Sequence, residues 1–252
     1  MTIQSVKRAT DIISLFSSSQ TALGVTQIAA TLGLNKATTW GLVTTLEKQG
    51  FLQQDPDTLK YSVGSKLFEL GMVYMGSLEI NAKSSRRVHG LASKTGLTAR
   101  VGIWDAGSVL VTLLALPQSE DSLSHQIGPR IPAYCSGLGK ALLAYLEPDQ
   151  FQAYLQTVEL ARHTRTTIVS TDQLLREMEW IREHGYAVSR EEMIPGLVAL
   201  GAPIFGRNRR LAGAVSLSAT PAITEDKQTE RLADDLLCTA AEISREMGYY
   251  TT

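Results

Sequence analysis

Three groups of residues in this 252-residue chain have the types and spacing to do chemistry. The first is Cys135-Ser136-Gly137-Leu138-Gly139-Lys140, which opens a helix with free backbone amides and little side-chain bulk. A helix N-terminus favours an anion, so a ligand carboxylate could sit there. It is not a phosphate-binding loop, because Gly139-Lys140 lacks the following Ser/Thr and the upstream glycine. Cys135 could act as a nucleophile with His125 or His163 as base. No flanking signature accompanies it, so a buried, inert thiol is the simpler expectation. The second group is acidic and basic. Glu191-Glu192 could be acid/base carboxylates, but neighbours on a strand or loop point to different sides. Arg162, His163 and Arg165 read most simply as a solvated loop. The third group is Lys36, Thr38, Trp40, Gly41, Thr44, Thr45 and Lys48, the outward face of one helix. Lysines and hydroxyls suit phosphates, while threonine methyls and Trp40 suit base edges or sugars.

The elements around that third group are a helix-turn-helix. Ser5–Phe16 places Val6, Ala9, Ile13 and Phe16 on one helical face, with Ser5 as cap. Thr26 caps a short helix burying Ile28, Ala29 and Leu32. Gly33 supplies the positive φ of the turn, and Asn35 caps a second helix starting at Lys36. That helix buries Thr39, Leu42, Val43 and Leu46. Ala29 is the small residue where the two helices cross. Thr39 stands where Val or Ile is usual. Gly50 ends the helix, and 51–54 and 59–63, joined by Asp55-Pro56-Asp57-Thr58, form a hairpin wing whose Lys60 reaches a flanking phosphate.

The remainder reads as an antiparallel sheet flanked by helices, an α+β arrangement. A helix at 66–78 carries the apolar stripe Leu67, Leu70, Gly71, Tyr74 and Met75, suited either to a partner chain or to an ordinary core. A helix at 81–95 precedes strands at 98–104 and 109–116, then a loop at 117–123 leading to 125–131. Helices at 136–146 and 172–183 follow, the latter burying Leu174, Leu175, Met178 and Ile181 and ending at Gly185. Strands at 186–190, 197–205 and 211–219 and a helix at 224–247 complete the chain.

Bulk properties agree with this division. Net charge is −1. Residues 1–66 hold six Lys/Arg against four Asp/Glu, a net +2, which leaves −3 for the rest. A slightly basic head on an acidic body fits a DNA-reading domain joined to something else. No apolar run approaches the roughly 20 residues needed to cross a membrane, and Lys7, Arg8 and Asp11 are unlike a signal peptide. Two cysteines without ligand spacing exclude a disulfide framework or zinc knuckle and point to a reducing cytoplasm. No metal or cofactor is expected.

Over essentially its whole length the chain resembles the IclR family of transcriptional regulators. The likeness rests on Ser5-Val6-Lys7-Arg8-Ala9 with Ile12-Ile13, on the helix-turn-helix, and on Gly50-Phe51-Leu52 with Tyr61-Ser62-Val63-Gly64. It continues in Gly139-Lys140-Ala141-Leu142-Leu143-Ala144, in Ile181-Arg182-Glu183-His184-Gly185-Tyr186-Ala187-Val188, and in Gly196 with Ala202-Pro203-Ile204-Phe205. The resemblance implies a winged helix-turn-helix at 1–64, a linker helix at 65–79 and a GAF-like effector-binding domain at 80–252. It implies a homodimer or dimer of dimers on a palindromic double-stranded DNA operator. It also implies a small-molecule effector, an organic acid or aromatic catabolite, and a role on a catabolic operon.

The DNA-contacting residues are then Thr26, Lys36, Thr38, Trp40, Thr44, Thr45 and Lys60. The family commonly has Arg in mid-recognition helix where this chain has Gly41. Members that bind glyoxylate-like acids carry an Asp and a Cys where this chain has Ser189 and Ala199. Two serines are kept as Ser216 and Ser218, on one face by the period of two. The loop before the pocket helix, usually His-Ala-Thr-Ala, reads Ala133-Tyr134-Cys135-Ser136-Gly137. The expected effector site is therefore Cys135, Ser136, Gly137, Leu138, Ser189, Ala199, Ser216 and Ser218. It is less charged and smaller-sided than in glyoxylate binders and suited to a bulkier, aromatic ligand whose carboxylate sits on the Ser136–Gly139 amides. The competing class is an enzyme or ligand-binding module whose helix-turn-helix serves only assembly.

Overall fold

A computed structural model describes residues 2–17, 19–117, 128–221 and 226–250. The chain divides into two compact units, Met1–Ser77 and Leu78–Thr252.

In the first unit, α1 (Gln4–Ile13) follows Ile3, which makes no side-chain cap bond. Ser5 therefore lies inside the helix rather than at its cap. The buried stripe centres on Ile12, which is fully buried, while Val6 is exposed. Helix α2 (Val25–Leu32) begins after Gly24, whose N–H donates to Gln27 Oε1 at 2.9 Å. Gln27 thus satisfies the helix start, and Thr26 is an exposed residue of the first turn, not a cap. Gly33 adopts φ 63° and ψ 32°, and the Leu34 N–H donates to Ala29 O at 2.9 Å. This is a left-handed helix end that a Cβ would strain. Helix α3 (Lys36–Lys48) is capped by Asn35, whose Oδ1 accepts the Thr38 N–H at 2.7 Å. Thr39 is fully buried, and its hydroxyl donates to Asn35 O at 3.0 Å. That bond is why threonine serves where an aliphatic residue is usual: a buried hydroxyl is costly only when unpaired.

Strands β1 (Leu52–Gln54) and β2 (Tyr61–Val63) pair antiparallel as the wing. Asp55 shapes the turn between them. Its Oδ1 accepts from the Thr58 N–H at 2.7 Å, the Thr58 hydroxyl at 2.8 Å and the Asp57 N–H at 3.1 Å. These bonds, the Thr58 N–H foremost, lower the carboxyl pKa. Leu23 and Tyr61 exchange backbone bonds of 2.9 and 2.8 Å, tying the wing to the chain before α2. Helix α4 (Ser65–Ser77) buries none of its side chains. Phe68 is 72% and Val73 71% exposed, with Leu70, Met72, Tyr74 and Met75 also exposed.

The second unit is one six-stranded antiparallel sheet in the order β5-β4-β3-β8-β7-β6. Its strands are β3 (Thr98–Asp105), β4 (Ser108–Ala115), β5 (Arg130–Ile131), β6 (Ala187–Arg190), β7 (Val198–Phe205) and β8 (Leu211–Ala219). Alternation along each strand separates two cores. Ala99, Val101, Leu200, Ala202, Val215 and Leu217 pack with α5 (Glu79–Thr95) and α9 (Asp226–Glu246). The opposite face meets α6 (Gly137–Leu143), α7 (Pro148–Thr157) and α8 (Thr171–His184), around Leu138, Leu142, Tyr154, Leu174 and Met178. Helix α7 was not anticipated: Pro148 reads as a stop for α6, but it also opens a new helix at its first position. Leu175 is 39% exposed rather than core. The expected start of the last helix at Thr224, most of the 117–123 loop and His125 lie outside the described residues. No described helix is long and apolar enough to cross a membrane.

Candidate nucleic-acid interface and effector pocket

Along α3 the side chains of Lys36, Trp40, Thr45 and Lys48 are exposed, Trp40 at 61%. Lys60 on the wing is exposed as well. A large apolar ring left in water beside lysines and threonines is the composition expected of a surface that meets sugars and phosphates. Two residues of the expected set behave differently. The Thr44 side chain, half-buried, lies near the phenol of Tyr61 on the wing. The Thr45 hydroxyl donates to Gly41 O at 2.7 Å. A Cβ built on Gly41 meets no atom within 4 Å. Nothing in the packing demands glycine there.

In the second unit the residues expected at the effector site converge. Register places Ser189 opposite Ala199 and Ala199 opposite Ser218, making one row across β6, β7 and β8. The next row holds Gly201, Ser216 and Arg100, since Ser216 pairs with both its neighbours. Directly paired residues share a face, and this face looks at the start of α6. Cys135, Ser136, Gly137, Leu138, Ser189, Ala199, Ser216 and Ser218 all line one cavity. The close approach of α6 to β7 depends on glycine. A Cβ on Gly137 would stand 2.9 Å from Ala199 O.

Three features of this cavity were not legible in the sequence. First, Arg100 lines it, 3% exposed, and donates from Nη1 to Ser218 Oγ at 2.7 Å. The lining thus includes an arginine that the expected set of site residues did not name. An arginine within the apolar strand Thr98-Ala99-Arg100-Val101 was the available signal. Second, the free volume is only about 20 Å³. The small side chains do not leave a large void, because Met193, Ile194 and Leu197 of the β6–β7 loop fill it. Third, one amide of the expected anion site at the start of α6 is already taken. Ser136 Oγ accepts the Gly139 N–H at 3.1 Å and donates to Pro132 O at 2.7 Å. The Ser189 hydroxyl is likewise engaged, donating to Cys135 O at 2.9 Å.

The β6–β7 loop is held from behind by a buried ion cluster. Lys140 is 1% exposed, and its ammonium donates to Glu177 Oε1 at 2.6 Å, Val188 O at 2.5 Å and Glu192 Oε1 at 2.7 Å. All three ammonium protons are thereby used. Burial pushes the Glu192 pKa up, with Lys140 opposing it. Glu191 turns the other way and accepts the Gly196 N–H at 2.7 Å. Glu191 and Glu192 are thus structural groups on opposite sides, not an acid/base pair.

Cys135 is fully buried, and burial pushes its thiol pKa to about 12. His163 Nε2 lies 3.0 Å from the Tyr134 hydroxyl and its ring stacks on Tyr134, so its near partner is that phenol. This is the setting of an inert thiol. Among the described residues there is no cluster of three or more metal-ligating side chains. A larger groove of about 410 Å³ lies between Tyr145, Phe205 and Tyr249. Its Ser244 hydroxyl already donates to Ala240 O and its Arg245 is exposed, so it offers shape with little to recognise a polar ligand.

Comparison with known proteins agrees with both halves. Residues 5–56 match the profile described as the IclR helix-turn-helix domain, and residues 72–245 that of the bacterial transcriptional regulator IclR C-terminal. The chain is 32% identical over 248 residues to the HTH-type transcriptional regulator XynR of Escherichia coli K12, covering 98% of each. The Thermotoga maritima IclR crystal structure superposes with TM-score 0.79 at 27% identity, covering 98% of this chain and 99% of that one. An IclR homologue from Microbacterium hydrocarbonoxydans, solved with 4-hydroxybenzoate, shares the fold at TM-score 0.82 and 19% identity, covering 97% and 99%. Relatives of this kind are DNA-binding regulators, not enzymes. A winged helix-turn-helix followed by this curled antiparallel sheet, both matched in one chain, makes this protein a member of the IclR family of transcriptional regulators.

Proposed function

We propose that this regulator reads a palindromic operator with α3 and the wing, and that a small organic acid in the β6–β7–β8 cavity sets its affinity for that operator. Thr26, Lys36, Thr38, Trp40, Thr44, Thr45 and Lys60 meet the DNA. The single observation that carries the effector half is a buried, arginine-lined cavity closed by a loop. A neighbour of the same fold holds 4-hydroxybenzoate, an acid. The exposed apolar side chains of α4 favour assembly of two chains through that helix. Two DNA heads on one dimer then match two half-sites. An effector coupled to head orientation by 1–3 kcal/mol would shift operator affinity about 5- to 150-fold, enough to control an operon for that acid's metabolism.

The test is a gel shift of the protein's own upstream region at several salt concentrations, with and without candidate acids. A salt-sensitive shift altered by an acid is the expected result. Absence of any shift would favour a ligand-binding module that uses the helix-turn-helix for assembly.

A further inference from the structure

We infer that the hairpin tip joining β7 to β8, Arg207-Asn208-Arg209-Arg210, is a second DNA contact of this regulator, taking phosphates of the duplex beside the operator core. This inference rests on the reading that α3 and the wing bind an operator. The tip is a tight turn. The Arg210 N–H donates to Arg207 O at 3.3 Å, and Asn208 and Arg209 both take φ 59°. Two successive left-handed residues match the twist of a hairpin, and the second is ordinarily glycine. Asn208 tolerates that backbone, whereas Arg209 holds it under strain. Residues kept in such conformations cluster at functional sites.

All four residues of the tip are exposed. Among the described residues, none of the three guanidinium groups has an ion pair or a side-chain hydrogen bond. Two acids of neighbouring elements are answered elsewhere, Asp105 by Arg130 and Glu246 by Arg87. This unpaired cluster stands in a unit, 78–252, that holds 18 Lys/Arg against 20 Asp/Glu, a net −2. A guanidinium meets phosphate oxygens two at a time and needs no base contact, so the tip adds affinity without sequence preference.

Placement within the second unit supports this partner. Leu78, the first residue after the head, lines one groove with Leu211 and Ala212, which follow the tip, and with Met247, which follows α9. A Cβ on Gly248 would stand 2.8 Å from Arg207 Cγ, so the tip lies beside the end of α9. The arginines therefore sit at the end of the unit where the chain arrives from the head. Helix α4, the 13 residues that join the two, spans about 20 Å. That tether is shorter than one turn of duplex, about 34 Å.

The experiment is fluorescence anisotropy of the full chain, across a salt series, on two labelled duplexes from the protein's own upstream region. One is the shortest duplex that footprinting shows to bind. The other extends it by one helical turn, about 10 bp, on each side. We expect wild type to bind the extended duplex more tightly and with the steeper salt slope. R207Q/R209G/R210Q should bind the short duplex like wild type and lose about two to three from the slope on the extended one, about 0.9 for each arginine. R209G alone should lose about one from that slope while raising the urea midpoint, because glycine relieves the turn. A more stable variant that binds more weakly separates a DNA contact from a structural role. Wild-type slopes for the triple variant on both duplexes overturn the inference, and a change in its sedimentation would then assign the tip to contact between copies. Equal losses on both duplexes overturn the placement on flanking DNA. Failure of wild type to bind any duplex of that region overturns the operator reading itself.

Discussion

A Cβ on Gly201 would stand 2.1 Å from the carbonyl oxygen of Gly137. The two glycines let the first turn of α6 rest on the middle of β7, and this contact sets the floor of the cavity lined by both. Gly201→Ala forces backbone to move on one side or the other. The expected cost is about 1–3 kcal/mol, as for other overpacked cores, read by urea denaturation of the full chain. Gly41→Ala, in open space on an exposed helix, should instead stabilise.

The Gly41 position also tests the DNA interface. Relief of glycine's helix penalty gives about 1 kcal/mol for Gly41→Ala. Gly41→Arg adds a cation to the outward face at no packing cost. Fluorescence anisotropy with a labelled operator should show tighter binding and a salt slope steeper by about one. Lys36→Ala should do the reverse, weakening binding and lowering the slope by about one. An unchanged slope in both variants would mean that α3 does not lie against phosphates.

Lys140 is committed to two carboxylates and a carbonyl inside the second unit. Lys140→Ala leaves Glu192 buried without its counter-ion and should cost about 3–5 kcal/mol. The double variant K140M/E192L removes both charges and should cost less than K140A alone, because Glu177 keeps a solvent-facing side. Thermal unfolding of the three proteins decides it. If K140A and the double variant are equally destabilised, shape rather than charge holds the loop.

The two cysteines should behave oppositely. Cys238 is exposed and Cys135 buried. In native protein at pH 8, a thiol reagent should label one cysteine per chain quickly and the second only on unfolding. The Cys135 pKa of about 12 lies above its unfolded value of 9.0, so the folded state holds the proton more tightly. Its contribution is intact below pH 9 and is lost as pH rises from 9 towards 12. By pH 10 the loss is roughly 1 kcal/mol. Cys135→Ala should flatten that alkaline decline.

Helix α4 shows no buried side chain, with Phe68 and Val73 its most exposed apolar residues. Placing charges there, as F68D/V73D, should shift sedimentation toward monomer and weaken operator binding, since two half-sites are no longer read together. Unchanged sedimentation would place the assembly surface elsewhere.

The helix-turn-helix was legible in sequence because its determinants act on near neighbours. Ala29, Gly33 and Asn35 lie within one turn of the groups they serve, and Asn35 caps α3 and holds Thr39 through bonds spanning three and four residues. Most of the strand and helix order in the second unit was legible from periodicity for the same reason, but not α7, whose opening proline reads equally as a stop. The cavity proposed as the effector site was legible only by resemblance, and only in part. Arg100 meets Ser218 across 118 positions, and Lys140 meets Glu177 and Glu192 across 37 and 52. Nothing local marks such pairs. By itself the sequence determined a DNA-reading head, an α+β body and the family. The tertiary structure alone decided that Arg100 lines the cavity, that loop side chains close it to about 20 Å³, and that the Ser189 hydroxyl is spent on Cys135 O. Burial and hydrogen-bond partnership across a sheet are set by which strands lie side by side, and spacing along one strand does not carry that information.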